Sequence, residues 1–487
     1  MTEPAIRRLD PVLLVRELGN WRTASSSGPA YEALADGLRM LIIDGRLPVG
    51  ARLPSERTLS DALRVSRTTV TAAYAALRED GYLNARRGAR STTALPVGDG
   101  AGAAATPDAA PASIDLARAA MSAPASAVLE AYTVAAQQMT PYLQGTGMEL
   151  VGIAPLRAAI AERYCQRGLP TEQDQIMVTT GALHAIRLIL ATYTEPGDRV
   201  LVEQPTYPGV LAAIGAAGGR PVPVSLTGDD AEHGWELSAI EAAIRQLAPN
   251  LAYFIPDNQN PTGLTLSAQD RKGLTQLISE TRTRTIVDET MTEVWLDRPV
   301  PAPVAAAMTS RRDLLITVGS MSKSFWGGLR VGWIRAERAT LASIAALRPS
   351  LDMGTPILEQ LAATRLLANA EELLPQRRAT LAARRDLVRA LLAEHLPDWT
   401  PGPGRDGVAL WVRLPAPMSS ALSAAASRMG LDLPAGPRFG VDGSLERYVR
   451  VPYTLPEDQL PAAIELLSRA WYSVTGTGVS ELGAVVV

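Results

Sequence analysis

Apolar positions return at helical spacing over residues 30–45 (AYEALADGLRMLIIDG), and Gly45 marks a helix stop. A turn-rich stretch with prolines at 48 and 54 follows, then two shorter helical patterns over 55–63 and 66–80, parted by Arg64 and Val65. Ser55 and Ser66 stand at N-cap positions, where a hydroxyl can accept from the free N–H groups of a first helical turn. GYLNARRGARSTTAL, ending at residue 95, alternates and turns like a β-hairpin. Helix, helix, short turn, helix and hairpin make the plan of a winged helix-turn-helix over residues 28–95. Ahead of it, residues 1–27 form an extension whose LLVRELGNWR segment predicts an additional amphipathic helix of no assigned role.

The pattern then lapses. Residues 96–112 (PVGDGAGAAATPDAAPA) hold almost no large apolar side chain, which predicts a flexible linker. From 113 to 475 helical patterns alternate with short apolar runs: IMVTT, RVLVE, LAYFIP, RTIVDE and LLITVGS. That alternation predicts a large α/β domain on a mostly parallel sheet. After Arg389 a helix, VALWVRL and YVRVPY predict a smaller α+β subdomain, and residues 476–487 read as a frayed tail.

Composition narrows the class. At 487 residues with 47% hydrophobic and 20% charged, the chain suits two or three soluble globular domains. A single cysteine, Cys165, excludes an intrachain disulfide and suits a reducing cytoplasm. Three scattered histidines (184, 233 and 395) offer little for zinc. The opening MTEPAIRRLD lacks a signal peptide's apolar run, and no stretch approaches the ~18 apolar residues of a membrane span. Residues 28–95 carry ten Arg against seven Asp or Glu, a +3 module on a chain of net −3, which suggests that only this end meets nucleic acid.

Lysine usage is more telling. Of 47 cationic residues only Lys272 and Lys323 are lysine. Where arginine has replaced lysine wherever a plain charge suffices, lysine persists where an amine is needed, as in an imine. Lys272 sits on the exposed face of a helical pattern, whereas Lys323 lies in VGSMSKSFWGGLRVGW.

Four motifs surround that lysine in order. TTGALHAI (179–186) turns a strand through Gly181 into a helix, whose N-terminus can cradle a phosphate. PDNQNPTG (256–263) holds Asn260 between turn formers, its amide free to point into a cleft. RTIVDE (284–289) ends a strand in Asp288, at the edge where α/β sheets bind ligands. SMSKSFWGGLR (320–330) flanks Lys323 with Ser320, Ser322 and Arg330, groups suited to a phosphate dianion. Each alone is an ordinary turn or strand end; together, in this order, they resemble the fold-type I, aspartate-aminotransferase-like enzymes that use pyridoxal 5′-phosphate (PLP).

That resemblance implies roles. Lys323 would carry the Schiff base, Asp288 would pair with the pyridine nitrogen, Asn260 would donate to the ring 3-oxygen, and Tyr207 of VEQPTYPG would stack on the ring. Gly181, Ala182, Leu183, Ser320, Ser322 and Arg330 would form the phosphate cup, and Arg450 in YVRVPY would grip a carboxylate. Arg450's plain alternative is an ordinary ion pair at a sheet edge. One position departs from the family: where a tyrosine normally follows the aspartate by two or three residues, this chain has Thr290 and Met291, which puts efficient transamination in doubt.

LPSERTLSDALRVSRTTVTAAYAALREDGYL (53–83) resembles the winged helix-turn-helix of GntR-type bacterial regulators. Ser66, Arg67, Thr68 and Thr71 would then open the recognition helix toward the major groove. Arg57 and the wing-tip pair Arg87 and Gly88 would meet phosphates or a groove edge. A GntR-type reader joined by a linker to an aminotransferase-like domain resembles the MocR subfamily of regulators. It implies a domain-swapped head-to-tail homodimer, one subunit's reader lying across the partner's large domain, that binds a duplex operator and senses PLP, or an amino compound forming an aldimine, with vitamin B6 homeostasis the leading theme. The competing readings are a working aminotransferase and a DNA-binding protein with a vacant dimerisation scaffold.

Overall fold

The structure is a computed structural model that describes residues 9–19, 21–22, 29–43, 46–47, 51–84, 91–94, 114–227, 234–441 and 443–476. The linker 96–112, the wing-tip residues Arg87 and Gly88, His233 and the tail beyond 476 lie outside the described residues.

The reader is built on three helices, Ala30–Ile43, Glu56–Leu63 and Arg67–Glu79. Both predicted caps are made: Ser55 Oγ accepts from Thr58 N and Ser66 Oγ from Thr69 N, each at 3.1 Å. Arg64, at φ 55°, takes the left-handed turn between the second and third helices. Leu34, Leu38, Leu59, Val70, Ala73 and Leu77 are fully buried where the helices meet. The hairpin pairs Leu83–Asn84 with Thr92–Thr93 antiparallel. The extension is no loose appendage. Its helix Pro11–Leu18, capped by Asp10, buries Leu14 and Leu18 in the reader's core. An amphipathic helix needs a surface for its apolar stripe, and here the reader supplies it.

The large domain holds a seven-stranded sheet in the order Ile176–Thr179, Gly332–Arg335, Leu315–Ser320, Arg284–Asp288, Leu251–Phe254, Arg199–Gln204 and Arg220–Ser225. Only Gly332–Arg335 runs antiparallel to its neighbours; the other pairings are parallel. The sequence pattern missed two of these strands. RPVPVS carries two prolines and survives only as an edge strand, and GWIR is too short to announce itself. Separate cores line the two faces of the sheet. The parallel strands end at one rim, which is where the four motifs gather.

The 26-residue helix Ala370–His395 crosses the predicted boundary at 389 and carries the chain into the small subdomain. There Thr400–Pro401, Ala409–Arg413 and Tyr448–Pro452 form an antiparallel sheet, packed with the helices Ser419–Arg428 and Leu460–Thr475. Residues 114–115 belong here too: Ile114–Asp115 pairs in parallel with Leu431–Asp432. No helix among the described residues is long and apolar enough to cross a membrane.

Candidate functional site

A cavity of about 350 Å³ opens at the strand rim between the large and small subdomains, in the size range of cofactor sites. It is lined by Lys323, Asp288, Asn260, Tyr207, Ala182, Leu183, Ser320, Ser322, Arg330 and Arg450. The fold thus brings residues spread over 269 positions, from 182 to 450, into one pocket.

Lys323 Nζ donates to Ala119 O at 2.6 Å. Burial and then the charge of Arg450 bring its pKa down to about 8, against the opposing pull of Asp288. At pH 7 roughly one amine in ten is then neutral and nucleophilic, whereas an ordinary lysine would offer fewer than about one in a thousand. Asp288 ends its strand buried, accepting from Tyr253 Oη at 2.7 Å and from Thr290 N at 2.9 Å. Burial raises its pKa, and these donors together with the charge of Lys323 oppose that rise. It lines the cavity as a buried carboxyl.

The PDNQNPTG octet spends its polar side chains on holding itself. Asn258, in the left-handed region at φ 46°, donates through Nδ2 to Met291 O at 2.8 Å. Gln259 Nε2 donates to Pro205 O at 2.8 Å. Asp257 pairs with Arg271, and although burial works against its charge, Arg271 and Arg167 hold its carboxyl below the usual range. This scaffold, closed by the cis Asn260–Pro261 bond, presents Asn260 to the cavity.

Gly181 caps the helix Ala182–Tyr193 at φ 92°, and a Cβ there would lie 2.5 Å from Arg330 Nη2. Only glycine satisfies both demands. Arg330 Nη2 donates to Thr180 O at 3.0 Å, which sets the guanidinium beside the helix N-terminus and its unbonded first-turn N–H groups. Ser320 Oγ donates to Ser322 Oγ at 2.9 Å. His184, read in the sequence only as one of three scattered histidines, braces this turn: its Nδ1 accepts from Thr180 N at 3.0 Å and its Nε2 meets Asp352 Oδ2 at 3.0 Å. Burial lowers its pKa, which favours the neutral ring that this pattern needs. Tyr207 caps the helix Pro208–Ala216, and its ring covers Gly209, where a Cβ would approach within 2.4 Å.

Arg450 is 6% exposed and makes no carboxylate pair among the described residues, so the plain ion-pair reading does not describe it. Its Nη2 donates to Ala117 O, its Nη1 to Asn260 Oδ1 at 3.3 Å, and its guanidinium lies 5.1 Å over Phe439. Nε is buried without a partner. Burial and then Arg438 lower its pKa to about 10. A buried cation without an anion is costly unless a ligand supplies one. Thr290 and Met291 line the same cavity, so no phenol enters from that strand end.

Tyr253 and the carbonyls of Ala117 and Ala119 were not legible in the sequence. Tyr253 sits in an apolar strand and reads as core, and a backbone carbonyl leaves no side-chain signal.

On the reader, Arg57, Ser66, Arg67, Thr68 and Thr71 are all exposed around the start of the helix Arg67–Glu79. Neither Arg57 nor Arg67 has a carboxylate partner among the described residues. The hydroxyls are less free. Ser66 is the cap, Thr68 Oγ1 is 2.7 Å from Ser66 Oγ, and Thr71 Oγ1 donates to Glu56 Oε2 at 2.8 Å.

Comparison with known proteins fits both halves. The family of aminotransferase class I and II matches residues 116–467, and the gntR family of bacterial regulatory proteins matches residues 30–92. The uncharacterized HTH-type transcriptional regulator YdcR of Escherichia coli is 29% identical over 86% of this chain and 94% of its own length. A 2-aminoadipate transaminase of Thermus thermophilus is 28% identical over 66% of this chain and 79% of its own length. Among solved structures, the α-aminoadipate aminotransferase LysN of Thermus thermophilus superposes with a TM-score of 0.68 at 24% identity, covering 75% of this chain and 94% of LysN. The residues around Lys323 fit the cofactor of that fold, pyridoxal 5′-phosphate: an amine of lowered pKa, a buried carboxylate, a helix N-terminus with an arginine, and paired serines. The chain belongs to the aminotransferase class I and II family, and with a GntR-type DNA reader ahead of that domain it has the two-part build of the MocR-type transcriptional regulators.

Proposed function

We propose that this regulator senses PLP, or an amino compound captured with it, in the Lys323 cavity, and that occupancy changes how it holds its operator. The observation that carries the reading is the pairing of Lys323, with its lowered pKa, and the anion-free buried Arg450 in one cavity of a chain that begins with a DNA reader.

Bound PLP would supply an aldehyde for covalent attachment and an electron-withdrawing pyridine ring. The chain's own groups would do the rest. Lys323 provides the amine, and Asp288 holds a proton on the ring nitrogen. Asn260 offers its amide to the ring oxygen, and Tyr207 lies against the ring. Gly181, Ala182 and Leu183 contribute backbone N–H groups, with Ser320, Ser322 and Arg330, to the phosphate. Arg450 binds the carboxylate of an amino compound. Arg57, Arg67, Arg87 and Gly88 contact the operator's backbone or groove edge, while Ser66, Thr68 and Thr71 open the recognition helix. Two subunits pair head to tail.

For a ligand to act as a signal it must bind two arrangements of the protein with different affinity. Thr290 and Met291 favour signal over turnover, because neither supplies a phenol beside Asn260 at the ring oxygen. A second reading, an active aminotransferase, is favoured by the completeness of the Lys323, Asp288 and Asn260 set and by relatives named as transaminases. One experiment separates them. Gel shifts on the DNA upstream of its own coding sequence, with a panel of B6 vitamers and amino acids, should change with PLP or an amine. Retarded complexes indifferent to every compound, with many turnovers of keto acid, would instead identify an enzyme.

A further inference from the structure

The cavity and the reader are joined by a continuous line of hydrogen bonds, backbone and ion pairs, and it begins at Lys323. The amine donates to Ala119 O, and Arg450 donates to Ala117 O. Both carbonyls belong to the segment that leaves Ile114–Asp115, the strand paired with Leu431–Asp432. Ile114 N donates to Gly430 O at 2.9 Å and Leu116 N to Asp432 O at 2.8 Å, so this segment is tied to the turn that ends the helix Ser419–Arg428. The last residue of that helix, Arg428, reaches out of the small subdomain and pairs with Asp36 of the reader, Nη1 to Oδ2 at 2.8 Å. Asp36 also pairs with Arg39, and Arg39 pairs with Asp80. Asp80 is the C-cap of the recognition helix, its own N–H donating to Ala76 O.

We propose that residues 114–121 and the charge chain Arg428–Asp36–Arg39–Asp80 report occupancy of the Lys323 cavity to the recognition helix. The inference rests on the sensing function proposed above and gives it a physical route. As an ammonium, Lys323 has three N–H bonds and spends one on Ala119 O. Condensation of the neutral amine with an aldehyde releases one water, replaces two N–H bonds by a C=N bond, and leaves at most one N–H after protonation. Ala119, 5% exposed, then has no donor in the unprotonated imine and keeps one only if the single N–H of the protonated imine still points at it; a buried carbonyl without a donor forces its segment to move or find another partner. A carboxylate arriving at Arg450 competes in the same way with Ala117 O. Both events act on one short segment, and that segment is fixed to the helix that holds the reader. The exposed ion pairs contribute little to stability singly. Their role here is to set one orientation of the reader on the small subdomain, which release of residues 114–121 disturbs.

The test uses the full-length protein and a fluorescent duplex from upstream of its own coding sequence, at one fixed salt concentration. Dissociation constants are measured for protein stripped of PLP and for protein loaded with it. The wild type should show a ratio within the roughly 5–150-fold range of ordinary allosteric coupling. Arg428→Ala should bring that ratio to about one, while imine absorbance and borohydride fixation on Lys323 stay as in the wild type. Arg428→Lys, which keeps the cation, should retain a ratio well above one. An Arg428→Ala protein that loads PLP and keeps the wild-type ratio overturns the relay and leaves the sensing function standing. A wild-type ratio of one, in contrast, removes the sensing function and the relay together.

Discussion

The pKa of Lys323 is lowered by what surrounds it, and its surroundings can be altered one side chain at a time. Burial and Arg450 lower its pKa to about 8, so the rate at which stripped protein attaches PLP should climb about tenfold per pH unit and level off near pH 8. Removing a neighbouring cation raises an amine's pKa, so Arg450→Met should move that bend to higher pH. Stopped-flow absorbance of the imine reads both; a wild-type bend above pH 10 would show an amine that is not desolvated. Gly181→Ala should push Arg330 aside, since its Cβ would fall 2.5 Å from Nη2 in a left-handed backbone. PLP titration should show weaker binding by at least about tenfold, the scale of one charge-assisted hydrogen bond. At this scale the motif residues could be named from the sequence because their types are constrained by chemistry. Tyr253, His184 and the carbonyl of Ala119 could not, because nothing in an apolar strand, a helix or an alanine marks the partner it will meet.

The elements carry separable functions. Ser66 serves the recognition helix as its cap, through the bond to Thr69 N. Ser66→Ala should therefore cost about 1 kcal/mol of reader stability, read as a lower urea midpoint. Arg67 has no such internal duty. Arg67→Ala should leave the unfolding curve in place, weaken DNA binding across sequences, and reduce the salt slope by about one if it meets a phosphate. An Arg67→Ala protein with wild-type DNA affinity would remove it from the interface. Helix starts were legible because serine caps and 3.6-residue periodicity are local signals. The strands Arg220–Ser225 and Gly332–Arg335 were not, since prolines and shortness conceal a strand until its neighbours accept it. The helix Pro11–Leu18 was foreseen as amphipathic, but which surface would take its apolar face was not.

At the scale of the whole molecule, the reader rests on the small subdomain through Arg428 and Asp36, rather than hanging free on its linker. If two chains pair head to tail, light scattering should find a particle of twice the 51.7 kDa chain, and borohydride-treated protein should keep that size. A monomer under all conditions would exclude the dimeric arrangement. The amino-acid sequence by itself determined the two-part plan and the class of each part, and it named residues that the fold gathers around Lys323, because caps, periodicity, linker composition and ordered motifs are properties of neighbouring residues. Only the tertiary structure decided that Arg450 is buried without an anion among the described residues, that Asp288 leans on Tyr253, and that residues 114–121 join the small subdomain and touch Lys323. Those facts arise from contacts between positions up to hundreds of residues apart, where burial and charge depend on the packing of the whole chain and no local pattern records them.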